Sequence, residues 1–281
     1  MRVTIAMLLA WFAAGPAPLG ATPIEAPRRV VSFNLCADQL VLALADPEQI
    51  GGLSPYAADA GLSVMAEKAK AFRRLDWQAE ATVALQPDLV IVGPNDRSVT
   101  RRMLVAQGLN VVEAGLVSGL DAARAQIRQF ARWLGHPERG EKLIADLDAA
   151  AARLAALRLP DAQTALVVER GGYMQGPQSL VAAMLAQAGL RAPAGAPAGY
   201  GGFIPLEKFL LLKPDIVFVK DPPRAAQDQG AVYITHPALA ALYPERRRIA
   251  LPTRYTMCGG PALVAAFDYL AAELSRLAAP P

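Results

Sequence analysis

ALQPDLVIV occupies residues 84–92 of this chain, and LLKPDIVFV occupies residues 211–219. In each, two apolar residues and one polar residue lead to a proline, an aspartate follows, and four apolar residues come next. Proline lacks the N–H that a helix interior needs, so it stops a helix. Aspartate suits the turn, because its carboxylate bonds nearby backbone N–H groups. An unbroken apolar run of strand length reads as a strand buried on both faces, the signature of a parallel sheet. The phrase is therefore helix, turn and buried strand, written twice with the prolines 127 positions apart. Glu80 stands seven residues before Pro87, and Glu207 stands seven before Pro214. Neither helix nor strand requires that glutamate. On the residues alone it reads equally as a solvated helix side chain or as a repeated functional group.

Outward from the first copy, strands and helices alternate. RVVSFN (29–34) and IGGLS (50–54) read as strands, and ADQLVLALA (37–45) as a helix between them. WQAEATVAL (77–85) is the helix that Pro87 ends, and SVTRRMLVAQG (98–108) is another helix, followed by the strand NVVEAG. Between Leu120 and Leu157 strand signals are absent. GLDAARAQIRQFARWLG reads as one helix, and HPERGEKLIADLDAAAARLAALR as a second, with Pro137 at its start and Pro160 beyond its end. A helix of some 20 residues spans ~30 Å, the length of a strut and not of a tight crossover. Alternation then resumes with TALVVE (164–169), SLVAAMLAQAG (179–189), IPLEKFLLL (204–212), DIVFV (215–219), RIALP (248–252) and a long terminal helix from Pro261. The fold expected is α/β: two Rossmann-like lobes with parallel-type sheets, joined by one long rigid helix, with a ligand cleft between them. The boundaries expected are a first lobe over 28–135, the connecting helix over 136–159 and a second lobe over 160–281.

Composition excludes several classes. The 281 residues are 53% apolar and 19% charged, with a net charge of +3. Basic residues form no stripe, so no nucleic-acid partner is expected. The first 21 residues carry Arg2, an apolar run from Val3 to Ala14, and GPAPLGA ending in Ala21. That is the order of a cleavable export signal, and its apolar run is too short to span a bilayer. No cysteine follows it that could take a lipid anchor. The protein expected is soluble and exported to an oxidising compartment.

Two α/β halves, a rigid helix between them and an export signal resemble the helical-hinge class of periplasmic substrate-binding proteins, which serve ABC importers of ferric siderophores, heme and cobalamin. The resemblance runs from about Arg28 to Leu277. It rests on RVVSFNLCADQLVLALADPEQIGGLS, the two Glu–Pro–Asp phrases, LGHPERGEKLIADLDA, and HPALAAL with RRRIALPTRYTMCGGPALVAAFDYLAAEL. It implies a periplasmic monomer without enzymatic turnover. It also implies that Glu80 and Glu207, one on each lobe, dock onto the two subunits of a permease dimer. Ferric siderophore is the expected cargo, being the commoner one in the family, with cobalamin or heme as the alternative.

The ligand would lie at loops after strand carboxyl ends. Candidate lining residues are Phe33, Asn34, Cys36 and Tyr56 from the first lobe, and Tyr173, Tyr200, Phe203, Arg254 and Tyr255 from the second, with Arg97 and Arg170 behind them. Aromatic side chains offer flat apolar area with a polar tip, which suits a large chelate. His136 and His236 are the two histidines, and both read as capping or surface residues. A directly held bare metal is therefore not expected, nor any cofactor; metal would arrive inside its chelator. Cys36 and Cys258 have three readings: a disulfide across the cleft, separate thiols touching cargo, or merely small residues. A secreted hydrolase or thiol-dependent enzyme is the alternative of another class. Against it, the chain has no Gly-x-Ser-x-Gly elbow, neither cysteine has a histidine beside it in sequence, and the GGP at 259–261 lacks the lysine and spacing of a phosphate loop.

Overall fold

The computed structural model describes residues 26–94, 98–157, 159, 163–220, 229–244 and 247–278. The segment 1–21, read as an export signal, and Arg97 lie outside the described residues.

Four parallel strands form the first sheet, in the order β2-β1-β3-β4: β1 Val30–Ser32, β2 Ile50–Gly52, β3 Leu89–Val92 and β4 Val111–Glu113. Around them run α1 Leu35–Leu44, the single turn α2 Ala66–Ala69, α3 Ala79–Val83 and α4 Ser98–Ala106. The second sheet has the order β7-β6-β5-β8-β9. Its strands are β5 Ala165–Val168, β6 Tyr173–Gln175, β7 Gly201–Phe203, β8 Ile216–Lys220 and β9 Arg248–Leu251. β5, β8 and β9 run parallel, whereas β6 is antiparallel to both β5 and β7. Neither β6 nor β7 shows in the sequence, because YMQ is too short to make an apolar run and GGF is both short and glycine-rich. Glycine is needed in the second: a Cβ on Gly201, at φ +134°, would stand 2.2 Å from the Met174 carbonyl oxygen across the ladder. The remaining helices are α5 Leu120–Leu134, α6 Pro137–Ala155, α7 Leu180–Gln187, α8 Leu206–Leu212, α9 Pro237–Leu242 and α10 Pro261–Ala278.

The repeated phrase explains how each sheet is pinned. Gln86 and Lys213, the residues before the two prolines, are the described non-glycine residues with positive φ (48° and 46°), and both end their helices left-handed. Asp88 then turns its carboxylate onto the backbone N–H groups of Arg28 and Arg29, at 2.7 and 2.8 Å. Asp215 does the same at Thr164, accepting from its N–H at 2.7 Å and its hydroxyl at 2.8 Å. In return the Asp88 N–H donates to the Arg29 carbonyl and the Asp215 N–H to the Thr164 carbonyl. Each aspartate thus fastens the start of the next strand to the start of its parallel neighbour, β3 to β1 and β8 to β5. These bonds to Thr164 hold the Asp215 carboxyl below its ordinary range.

α6 links the halves but does not stand alone. Ile144, Leu147, Ala150, Ala151 and Leu154 recur at helical spacing and are buried. α5 packs on one part of α6, where Arg128 pairs with Glu141 and Arg124 with Asp148. α10 packs along it too, and Arg153 reaches Asp268 on α10 at 2.6 Å. One apolar core runs from α1 through α5, α6 and α10 to α7 and the second sheet. Burying each such leucine contributes roughly 1.5–3 kcal/mol, so relative motion of the lobes works against a shared core and not against a bare rod. Gly135 makes the tight turn from α5 to α6: its φ of 82° suits glycine, and a Cβ there would lie 2.4 Å from the Ala26 Cβ.

Candidate ligand cleft and docking faces

Between the lobes lies a cavity of about 320 Å³. From the first half it is lined by Leu116, Val117 and Ser118, in the loop from β4 to α5. From the second it is lined by Tyr173, Gln175, Ser179, Leu180 and Tyr200. Its size falls in the range of small-molecule sites, at the low end. Tyr173 and Tyr200 stand together in its wall, and the Tyr173 hydroxyl donates to the Tyr200 carbonyl at 3.3 Å. Phe203 faces Tyr173 across the β6–β7 ladder, ring centroids 5.2 Å apart and edge to face. Both Tyr200 (62%) and Phe203 (73%) keep most of their surface in solvent. Large aromatic rings exposed beside a concavity mark a contact surface.

The first-lobe candidates divide. Phe33 is a correction: it is buried in the core and stacks against Trp77 at 6.2 Å, because it follows β1 with its ring turned under the sheet. Asn34 has structural work, its side-chain oxygen accepting from the N–H groups of Cys36 and Ala37 as the cap of α1. Tyr56 stays half exposed in the loop after β2, its ring 5.6 Å from Trp77. Arg254 sits over the Tyr255 ring at 4.8 Å, donates to the Tyr255 hydroxyl, and reaches the Ala60 carbonyl of the first lobe at 3.4 Å. Tyr255 stacks on Tyr269 of α10 at 4.8 Å and packs against the main core. None of Phe33, Asn34, Cys36, Tyr56, Arg254 or Tyr255 lines the 320 Å³ cavity. Arg170 lies against Gly230, where an added Cβ would meet its guanidinium at 2.6 Å.

Of the three readings of the cysteines, the structure has the bonded one. Cys36, in the first turn of α1, and Cys258, three residues before α10, are joined with Cα atoms 5.1 Å apart. Cys258 is buried beside Leu35 and Ala262, with Leu62 and Val64 packed around the bridge. The segment 256–260 leans on the first lobe: a Cβ at Gly260 would meet Leu40, and one at Gly259 would meet Val117. Neither cysteine is free, so neither offers a thiolate to a substrate in this state.

His236 accepts from the Ala238 N–H at the start of α9, the capping role expected of it. His136 precedes α6 without capping it and instead meets Gln49 at 2.9 Å and Asp46 at 3.3 Å. Among the described residues no group of three or more His, Cys, Asp or Glu side chains could hold a metal ion. Glu80 and Glu207 are exposed, each in the first turn of its helix, α3 and α8. Because the phrase repeats position for position, they stand at equivalent points of the two lobes. Sequence reading missed Leu116, Val117, Ser118, Gln175, Ser179 and Leu180. Leu116 alone carried a signal, as a large apolar residue in the short, glycine-flanked loop AGLVSG; it is 82% exposed.

Residues 30–242 match the family model described as periplasmic binding protein. The chain belongs to that family. Among curated proteins none matches it in sequence. Solved structures with the same fold include RhuT, a periplasmic heme-binding protein from Roseiflexus sp. RS-1 in apo form, at 26% identity and TM-score 0.71, covering 90% of this chain and 99% of that one. BtuF, the periplasmic vitamin B12 binding protein of Vibrio cholerae, matches at 15% identity and TM-score 0.66, covering 90% and 99%. An ABC-type Fe3+-hydroxamate transport protein from Saccharomonospora viridis matches at 20% identity and TM-score 0.66, covering 89% and 93%. Members of this family are transport proteins that bind small molecules, and this chain shares the two-lobed fold over about 90% of its length. No helix among the described residues is long and apolar enough to cross a membrane.

Proposed function

We propose that this periplasmic binding protein captures a metal chelate between its lobes and delivers it, as a monomer without turnover, to the permease of an ABC importer. The observation that carries the reading is the cavity between the lobes with Tyr173 and Tyr200 in its wall and Phe203 exposed beside it. Flat aromatic surface removed from water on binding favours a large, partly apolar cargo. Among the described residues no three metal-ligating side chains converge on one point, which favours a metal that comes already chelated. Ferric siderophore is the favoured cargo. Heme is the second reading, favoured by the 26% identity to a heme-binding protein along nearly the whole chain. The signal-like order of the first 21 residues, with the family match, supports a periplasmic setting for this work.

The test is titration of the purified protein with ferric desferrioxamine E, hemin and cyanocobalamin, followed by quenching of intrinsic fluorescence. At least one should bind saturably with one site per chain, unchanged on recovery. Binding of none, or steady conversion of any, overturns the proposal.

A further inference from the structure

Gln175 lies where three features meet. It lines the cavity between the lobes, and it also lines a second cavity of about 230 Å³ between β5 and α7. Its amide nitrogen donates to the Glu169 carboxylate. The same carboxylate oxygen accepts from the Lys220 ammonium at 3.2 Å, in an ion pair whose two side chains are mostly buried (15% and 22% exposed). Glu169 follows β5 and Lys220 ends β8, so the pair sits on the carboxyl edge of the second sheet, the edge from which α/β folds bind ligands.

This arrangement fixes which way the amide points. The two ends of a glutamine amide look alike by shape, and hydrogen bonding decides between them. The Glu169 oxygen that meets the amide already accepts from the Lys220 ammonium, so it is the amide nitrogen, as donor, that faces Glu169. The amide carbonyl is then turned from Glu169. Two of the other polar groups of the cavity wall are engaged: the Ser179 oxygen accepts from the Ala182 N–H as the cap of α7, and the Tyr173 hydroxyl donates to the Tyr200 carbonyl; Ser118 and Tyr200 add hydroxyls, which can donate as well as accept, so Gln175 supplies the acceptor held in one orientation.

We propose that Gln175 is a specificity-determining residue of the cleft, its pinned amide carbonyl accepting a hydrogen bond from an N–H or O–H donor on the bound cargo. The inference rests on the chelate-binding reading and narrows it. It favours chelates with amide or hydroxyl donors on their periphery over a macrocycle whose polar edge carries only ionised carboxylates, which an acceptor repels. Glu169 is a positioning residue: it acts through Gln175 and not on the cargo.

The experiment compares wild type, Gln175→Leu and Glu169→Gln in titrations with ferric desferrioxamine E, whose ring carries amide N–H groups, cyanocobalamin, which carries peripheral amides, and hemin, whose polar edge is two carboxylates. Leucine keeps the volume and removes the acceptor. Its affinity for whichever amide-bearing probe binds the wild type should fall roughly tenfold, the scale of one lost hydrogen bond, while hemin affinity stays within about twofold or rises. Glu169→Gln, which frees the amide to flip, should cause a smaller loss in the same probe. Thermal unfolding of each variant separates a specificity change from misfolding. If the amide-bearing probe binds and Gln175→Leu leaves its affinity unchanged, or weakens hemin equally, the proposal is overturned while the chelate reading stands. If hemin alone binds the wild type, Gln175 does not select donors, and the proposal fails in the same way. If no probe binds the wild type, both fail together.

Discussion

Removing the bridge between Cys36 and Cys258 should cost this protein a large part of its stability. The bond joins residues 222 apart in sequence. In the chain-entropy model a cross-link lowers the entropy of the unfolded chain by 2.1 + 1.5R ln n cal/mol/K. For a loop of this length that is ~18 cal/mol/K, or about 5 kcal/mol at 25 °C. Whole-domain stability is typically ~5–15 kcal/mol, so a third or more of it hangs on one bond. The clean perturbation is Cys36→Ala with Cys258→Ala. Cys258 is buried among Leu35 and Ala262, so serine would add the separate penalty of a buried hydroxyl. For a protein of this size, each kcal/mol moves the melting midpoint by ~2–4 °C, so the double variant should melt about 10–20 °C lower. Reducing the wild type with dithiothreitol should produce a similar drop, and reducing the variant should produce none. The shared core of α5, α6 and α10 does not depend on the bridge, so the variant should still fold. Alkylation of unreduced, denatured wild type with iodoacetamide should add nothing. Two adducts would show free thiols, and a midpoint within ~2 °C of wild type would show that the bridge constrains little; either result refutes the reasoning.

Three other outcomes follow from named residues. Replacing Glu80 and Glu207 together by Ala should leave cargo affinity unchanged and abolish uptake, measured in cells carrying the cognate importer; normal uptake would reduce both to surface charges. Asp38 is fully buried, and burial pushes its carboxyl up to about 7 against the opposing hydrogen bonds from Ser32 and Ser54. In the unfolded chain it ionises near 3.8. The folded state therefore holds the proton more tightly, and its contribution to stability is full below pH ~4, falls as pH rises to ~7, and is flat above. Asp38→Asn should remove that slope, so that the wild type, but not the variant, loses as much as roughly 2–3 kcal/mol between pH 5 and pH 8 in urea unfolding; parallel pH profiles would count against it. Asp215→Ala should cost about 1–2 kcal/mol by leaving the Thr164 N–H and hydroxyl without their acceptor, the lower part of the usual range because the carboxylate is exposed. Its pKa is depressed, so the stabilisation is present at neutral pH and lost as pH falls below the ordinary carboxylate range. An equal midpoint for variant and wild type at pH 7 would contradict the clamp.

Much of this molecule is legible in one dimension, because it depends on local patterns. The repeated Pro–Asp phrase determined two α/β halves: a helix stop, a turn residue and a buried strand are properties of a few consecutive side chains. The helical spacing of Leu143, Leu147, Leu154 and Leu157, with Pro137 ahead of them, determined the connecting helix. Even the exposure of Glu80 and Glu207 follows from their place in a helix whose other face is apolar. The tertiary structure decided what depends on distant partners. The aspartates of the two phrases proved to be clamps because Arg28–Arg29 and Thr164 lie beside them only once the parallel sheets form. Phe33 went into the core and Tyr56 stayed out, although both are aromatic residues near strand ends, because side-chain direction is set by how the chain leaves the strand. β6 and β7 exist because β5 offers them an edge, which a run of three residues cannot announce. The cavity wall brings residues 116–118 to 173–200, and Cys36 to Cys258, through contacts across most of the chain. Sequence reveals such meetings only when the two ends carry matching chemistry, as two lone cysteines do and a leucine and a glutamine do not.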